Sequence, residues 1–240
     1  HRVDRRQRQM CIRDRRYERV MHRIREAEAA AGRPRGSVAL LPVTKFHPVE
    51  QIHELVACGV HLVGENREQE ARDKAEQLAE CGIAMIGQIQ SKKANAVARW
   101  AAEVHSLDSI KLAHGLDRGM ALALERGDRT GEVLPCLVQL SYDGDQARGG
   151  AQVSDVPEIV DAIEAAAHLE FRGFMVVPPL DADPRDVFVR ARSLTDAYGS
   201  NLNRTLTLSA GMSGDFEDAI ACGSDIVRVG TAVLGPRPVP

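Results

Sequence analysis

Eight short aliphatic runs recur along this chain, and a stretch of helical period separates each from the next. The runs occupy 38–43, 61–64, 83–87, 104–107, 134–140, 171–177, 205–209 and 225–229. Such lengths suit strands and are too short for globular helices. The intervening segments, 49–57, 68–79, 93–101, 110–124, 156–167, 185–197 and 216–221, carry helical apolar spacing. Several open on proline or aspartate and close on glycine, as Pro48 and Gly59 do around the first. Strands alternating with helices read as βαβ units in a parallel sheet, and eight of them in little more than 200 residues close into a (β/α)8 barrel. An open doubly wound sheet is the alternative. No G-x-G-x-x-G follows an early run and no G-x-x-x-x-G-K occurs anywhere, so neither nucleotide-binding signature supports it.

Ahead of the first run, YERVMHRIREAEAAAG predicts an extra amphipathic helix closed by Gly32. Residues 1–25 hold ten arginines and three acids, while the rest of the chain holds 21 basic and 31 acidic residues. Residues 1–15 are therefore expected to be an arginine-rich extension, disordered or foreign to the natural protein, ahead of a single domain over 16–240. With almost no aromatic residue in that arm and no nucleic-acid-binding motif behind it, no nucleic-acid partner is expected. No apolar run reaches the roughly 18 to 20 residues of a membrane helix, and the basic start lacks the apolar core of a secretory signal. A cytoplasmic monomer without a membrane partner is the expectation. The five cysteines are scattered, with no C-x-x-C pair and no histidine at ligand spacing, so neither a disulfide framework nor a metal site is indicated.

A barrel of this kind gathers its reactive groups at the carboxyl ends of its strands. The residues least expected in an apolar framework fall there: Lys45 after the first run, Glu65 and Asn66 after the second, Gln88 and Gln90 after the third, Asp108 after the fourth. Arg148 and Gly150 lie beyond the fifth, Met175 near the end of the sixth, 209–214 after the seventh and Arg228 to Thr231 at the end of the eighth. In VALLPVTKF an aliphatic run ends on Lys45, where partial desolvation favours the neutral, nucleophilic amine needed for a Schiff base. Taken alone, a surface lysine following a strand explains it as well.

The loops after the last two runs suit a phosphate group. In LSAGMSGDFEDAI small residues let the backbone approach a ligand closely and Ser213 offers a hydroxyl; in DIVRVGTAV, Gly230 and Thr231 offer an amide and a second hydroxyl. Either loop alone is equally a tight turn with a helix cap. A nucleophilic lysine on one side of a barrel mouth and a phosphate site on the other match pyridoxal phosphate, whose aldehyde and phosphate lie on opposite sides of its ring. Arg228, two residues before Gly230, would then face the pyridine nitrogen. Arginine only donates, so it leaves that nitrogen unprotonated and weakens the ring as an electron sink. The competing account of Arg228 is a buried ion pair with Asp225 or Glu65.

From about Tyr17 to Arg237 the chain resembles the pyridoxal-phosphate homeostasis proteins, single-barrel relatives of the alanine racemase N-terminal domain. The resemblance rests on LLPVTKF, GENREQE, IGQIQSKK, RGFMVV, LSAGMSGDFEDAI and VRVGTAVLG, in that order. It implies a pyridoxal 5'-phosphate-binding barrel with Lys45 as the Schiff-base lysine and Asn66 on the ligand side. It also implies Met175 beside the ring, Ser213, Gly230 and Thr231 at the phosphate and Arg228 at the pyridine nitrogen. The chain departs from the family pattern at Ala84 and Met85, where an aromatic residue and histidine are usual, and at Lys92, where asparagine is usual. In YDGDQARGGA, Arg148 replaces a lysine.

Binding and catalysis are separate questions. The resemblance implies a non-enzymatic protein of vitamin B6 homeostasis, holding the cofactor reversibly and passing it to apo enzymes that need it. The alternative is an amino-acid racemase or related enzyme with weak activity. Racemisation needs acid–base groups on both faces of the substrate carbon, and Lys45 supplies one. In alanine racemases a tyrosine from a further domain supplies the other; here only Tyr142 of the three tyrosines falls near the expected mouth.

Overall fold

The computed structural model describes the protein over residues 2–145 and 148–236, with side chains from Arg15 onward. The last residues of the expected 16–240 domain, from Arg237, lie outside the described residues, as do Gln146 and Ala147 of the YDGDQARGGA loop.

Helix α1 (Arg2–Ala30) comes first. The expected helix accounts for its second half. Its backbone continues helical down to Arg2, where the sequence pointed to a disordered or foreign extension; arginine, glutamine and methionine are good helix formers and nothing between Arg2 and Arg15 breaks a helix. Strands β1 (Ala39–Pro42), β2 (Leu62–Glu65), β3 (Gly82–Met85) and β4 (Glu103–Leu107) alternate with α2 (Val49–Ala57), α3 (Glu68–Ala75) and α4 (Ala94–Trp100). After α5 (Ile110–Glu125) come β5 (Leu134–Ser141), a two-residue β6 (Ala151–Gln152), α6 (Val156–Glu164), β7 (Leu169–Val176) and α7 (Pro184–Asn201). The chain closes with β8 (Thr207–Ser209), α8 (Phe216–Ala221), β9 (Ile226–Val229) and the single turn α9 (Thr231–Leu234). Local chemistry fixes the helix starts: Ser109 Oγ accepts the Leu112 amide at 3.3 Å ahead of α5, and Asp183 accepts the Arg185 amide at 2.9 Å with Pro184 in the first turn of α7.

All neighbouring strands pair parallel in the order β1-β9-β8-β7-β5-β4-β3-β2, with β6 beside β5. A bridge between Val43 and Gly64, with the Thr44 amide donating to the Gly64 carbonyl at 3.0 Å, joins β1 to β2 and closes an eight-stranded barrel. At Gly173 the pairing of β5 with β7 slips by one residue; its φ of +135° and the Thr207 carbonyl, 2.0 Å from where a Cβ would sit, leave room only for glycine.

Two apolar layers hold the helices to the barrel. One packs α4 to α7 on β3 to β8, with Phe171, Phe174 and Phe188 among its largest members. The other packs α1, α2, α8 and α9 around β1, β2 and β9 through Ile24, Ile52, Leu55 and Phe216. Each such side chain withdrawn from water contributes about 1.5–3 kcal/mol. The α1–β1 connection is sealed by Glu28, fully buried, which accepts from the Val38 and Gly36 amides at 2.7 and 3.0 Å and from Arg25 at 2.6 Å. Burial pushes its carboxyl up, but the Arg25 and amide bonds outweigh it and hold the group below the ordinary carboxylate range.

Candidate functional site

The carboxyl end of β1 leads into a tight turn. The His47 amide donates to the Thr44 carbonyl at 3.0 Å, so Lys45 and Phe46 are the two central residues. Phe46 has φ +66°, a left-handed value that a residue with a Cβ adopts at a cost of about 1–3 kcal/mol. Its amide donates to Glu70 Oε1 at 2.6 Å and the Arg67 guanidinium lies 4.9 Å from the centre of its ring. Lys45, half-buried, has no hydrogen-bond or ion-pair partner among the described residues.

Beneath this turn, between barrel and α3, lies a compact charged group. Glu65 Oε1 accepts from Thr44 Oγ1 and from Lys74 Nζ, each at 2.5 Å; Lys74 also donates to Glu70 at 2.8 Å and to the Thr44 carbonyl at 2.8 Å. Burial raises the Glu65 carboxyl, and the Lys74 and Thr44 bonds pull the other way. Glu65 Oε2 is buried without a partner among the described residues.

On β9, the strand that pairs with β1, Arg228 is 4% exposed. It donates to Ser209 Oγ and to the Val176 carbonyl, both at 2.8 Å, and no carboxylate pairs with it among the described residues. The ion pair with Asp225 or Glu65 is ruled out by where those acids are spent: Asp225 on Arg33 and Arg192, both at 3.0 Å, and Glu65 on Lys74. Burial pushes the Arg228 guanidinium down to about 10, with Asp215 acting in the opposite sense. In register Arg228 lies beside Leu41 of β1, and Ser209 beside Met175 of β7, which in turn lies beside Gln139 of β5.

Gly230 starts α9, its carbonyl accepting from Val233 at 2.9 Å and Leu234 at 3.0 Å, and a Cβ there would press on the Val43 carbonyl at 3.3 Å. Thr231 is exposed at the same rim. Ser213 is exposed in the loop after β8, where Asp215, not Ser213, takes the Met212 amide at 2.6 Å.

A cavity of about 320 Å³ opens at the mouth between the β2–β3 side and β5–β7. Asn66 and Met175 line it; Lys45, Ser213, Arg228, Gly230 and Thr231 belong to the same end of the barrel without lining this cavity. Asn66 Oδ1 is buried and unpartnered among the described residues, and its backbone presses so closely on Gly87 that a Cβ there would come within 2.0 Å of the Asn66 carbonyl. Gln88, Gln139, Ser141, Asp143 and Arg148 supply further polar wall. Gln139 and Ser141 escaped the sequence reading, although a glutamine inside LPCLVQLS is a signal of its own. Arg148 links the walls, donating to Asp143 at 2.9 Å and to the Pro178 carbonyl at 2.6 Å. Burial raises the Asp108 carboxyl against hydrogen bonds from Ser109, the Gly150 amide and Gln88. Tyr142 packs against the outer helical layer with the Arg190 guanidinium 4.4 Å from its ring centre, which spends it on packing. Among the described residues no three His, Cys, Asp or Glu side chains gather to hold a metal, and no helix is long and apolar enough to cross a membrane.

Residues 16–238 match the family described as alanine racemase, N-terminal domain. Over 207 residues the chain is 58% identical to the pyridoxal phosphate homeostasis protein of Corynebacterium glutamicum, an alignment covering 86% of this chain and 94% of that protein. The chain belongs to the pyridoxal phosphate homeostasis protein family. A crystal structure of an unknown protein from Bifidobacterium adolescentis superposes with a TM-score of 0.82 at 32% identity, covering 94% of this chain and 95% of that one. A second structure, PipY of Synechococcus elongatus PCC7942 with PLP bound, gives a TM-score of 0.74 at 30% identity, covering 88% of this chain and 100% of that one. The barrel expected from strand alternation is thus the fold of the family.

Proposed function

We propose that this protein binds pyridoxal 5'-phosphate reversibly through Lys45, keeps the free cofactor controlled in the cytoplasm, and hands it to apo enzymes that require it. The observation that carries the reading is the Lys45 amine, without a partner among the described residues, on a turn held at Thr44 and Phe46 on either side of it, at the barrel end that also holds the buried Arg228, which no carboxylate pairs among the described residues.

The residues present fit this cofactor. Asn66 Oδ1 is a buried acceptor lacking a donor among the described residues at the cavity wall, and the Gly230 backbone lies where a Cβ would meet the Val43 carbonyl at 3.3 Å. When bound, the group supplies an aldehyde that condenses with a primary amine and a phosphate dianion. Lys45 adds its neutral amine to the aldehyde carbon, releasing one water, and the same step reversed by water frees the cofactor. In this reading Asn66 and Met175 border the ring and Ser213, Gly230 and Thr231 receive the phosphate. Arg228 meets the pyridine nitrogen as a donor, so that nitrogen stays unprotonated.

A non-catalytic role agrees with the site. Proton transfer on both faces of an amino-acid carbon needs a second base opposite Lys45, and Tyr142 is packed under Arg190. We also hold that residues 1–15 stand outside the domain and that the protein works as a monomer.

Purified protein mixed with pyridoxal phosphate is expected to form an imine that borohydride fixes on Lys45, read by peptide mass spectrometry. Lys45→Ala abolishes this adduct; a full-stoichiometry adduct on Lys92 or Lys93 in that variant refutes the assignment. Loaded protein mixed with an apo enzyme should activate it, whereas no transfer together with measurable racemisation of any amino acid would favour the enzyme reading. Removing residues 1–15 should leave cofactor binding unchanged.

A further inference from the structure

We propose that Glu70 is a positioning residue for Lys45, clamping the left-handed turn that aims the lysine. The inference rests on the reading of Lys45 as the cofactor tether. The four residues 44–47 form a turn whose third position ordinarily takes glycine or asparagine, and here that position is Phe46 at φ +66°. A side chain with a Cβ there leaves the turn prone to relax toward an extended path that points its neighbour elsewhere.

The restraints against that relaxation come from one short stretch after β2. Glu70 Oε1 takes the Phe46 amide at 2.6 Å, the one backbone donor at the strained position. Arg67 covers the Phe46 ring at 4.9 Å. Lys74 ties Glu70 to Glu65, at 2.8 and 2.5 Å, and donates to the Thr44 carbonyl, while Glu65 accepts from the Thr44 hydroxyl. The residue before Lys45 and the residue after it are thus each bonded to this group, and Lys45 itself is left out of it. An over-determined backbone around an uncommitted amine is the arrangement needed when a nucleophile must be fixed in direction and free in charge. Glu70 touches the turn and not the amine, so it acts through geometry.

The test uses the full chain with Glu70→Ala, Glu70→Gln and Phe46→Gly, alone and combined. In cofactor-free protein, exchange of the Phe46 amide proton should speed up about tenfold in Glu70→Ala and much less in Glu70→Gln, which keeps an acceptor oxygen. After addition of pyridoxal phosphate, the rate of borohydride-reducible imine formation at Lys45 should fall about tenfold in Glu70→Ala. Adding Phe46→Gly should restore that rate to within about threefold, because glycine takes positive φ without a clamp. Unchanged amide exchange and unchanged imine rate in Glu70→Ala overturn the proposal. So does a rate loss that follows the thermal midpoint and that Phe46→Gly leaves uncorrected, the result of a purely structural role. Where Glu70→Ala does not fold alone, it is made in the Phe46→Gly background: an imine rate within about threefold of Phe46→Gly alone supports the clamp, and a further tenfold loss overturns it. An imine that survives in Lys45→Ala refutes the tether itself, and amide exchange at Phe46 still judges the clamp.

Discussion

Lys74 and Arg228 are both buried cations at the working end of one barrel, and the protein treats them in opposite ways. Lys74 meets two carboxylates and a carbonyl, so its charge is balanced inside the fold. Arg228 meets a serine hydroxyl and a carbonyl, which satisfy its N–H groups without cancelling its charge. Burying an unbalanced ion is costly, so a fold that tolerates one has left it for something outside the chain to complete. The contrast separates a structural ion group from a binding one without reference to either residue's position in the sequence.

The largest effect expected from this contrast is on folding at the balanced side. Lys74→Met leaves fully buried Glu65 without its cation and should cost about 3–5 kcal/mol in urea unfolding at neutral pH. A loss under about 1 kcal/mol would mean that the two cations are not different in kind. Glu65 already has a raised carboxyl, so ionising it costs stability above its folded value, and that cost is relieved as pH falls through this value toward the unfolded 4.5. In Lys74→Met this gain on mild acidification should become larger.

Arg228→Leu should behave in reverse. It removes an unbalanced charge and orphans Ser209 Oγ and one carbonyl, for a stability cost of about 1–3 kcal/mol, while weakening cofactor binding more than Lys74→Met does in a fluorescence titration. Equal losses of affinity in the two variants would break the comparison.

The smallest effect comes from Glu28, a buried anion balanced like Lys74 but far from the mouth. Glu28→Gln should cost about 1–2 kcal/mol at pH 7 and leave cofactor affinity untouched. Because the folded state lowers this carboxyl, its contribution is present above the unfolded value of 4.5 and is lost as pH falls through the folded one, opposite in sign to Glu65. Acid unfolding curves that coincide for the variant and the parent would remove Glu28 from the set.

The sequence made the barrel legible because eight runs of strand length alternate with capped helices; α2 and α8 even begin and end where apolar spacing and glycine place them. Strand β6 and the single turn α9 were invisible, since two and four residues carry no periodicity. At the site, Lys45 announced itself as a charge ending an aliphatic run. The bond from Phe46 to Glu70 did not, because it spans 24 residues and exists only once β1 and β2 are brought side by side. That Arg228 would meet neutral acceptors depended on where Asp225 and Glu65 spend their charge, which is settled by tertiary pairing with Arg33, Arg192 and Lys74.

Closure of the barrel has a mechanical side. Most neighbouring strand pairs share a ladder, up to seven residue pairs long between β5 and β7, whereas β8 and β9 pair at Ser209 with Ile226 and β1 and β2 meet through the bridge of Val43 with Gly64. A seam with so little ladder is where a cylinder parts at least expense, and this one runs up to the residue before Thr44. Breathing of the cylinder at this seam therefore falls beside Lys45, and the ion group of α3 doubles as a rivet across a join that the strands themselves barely make.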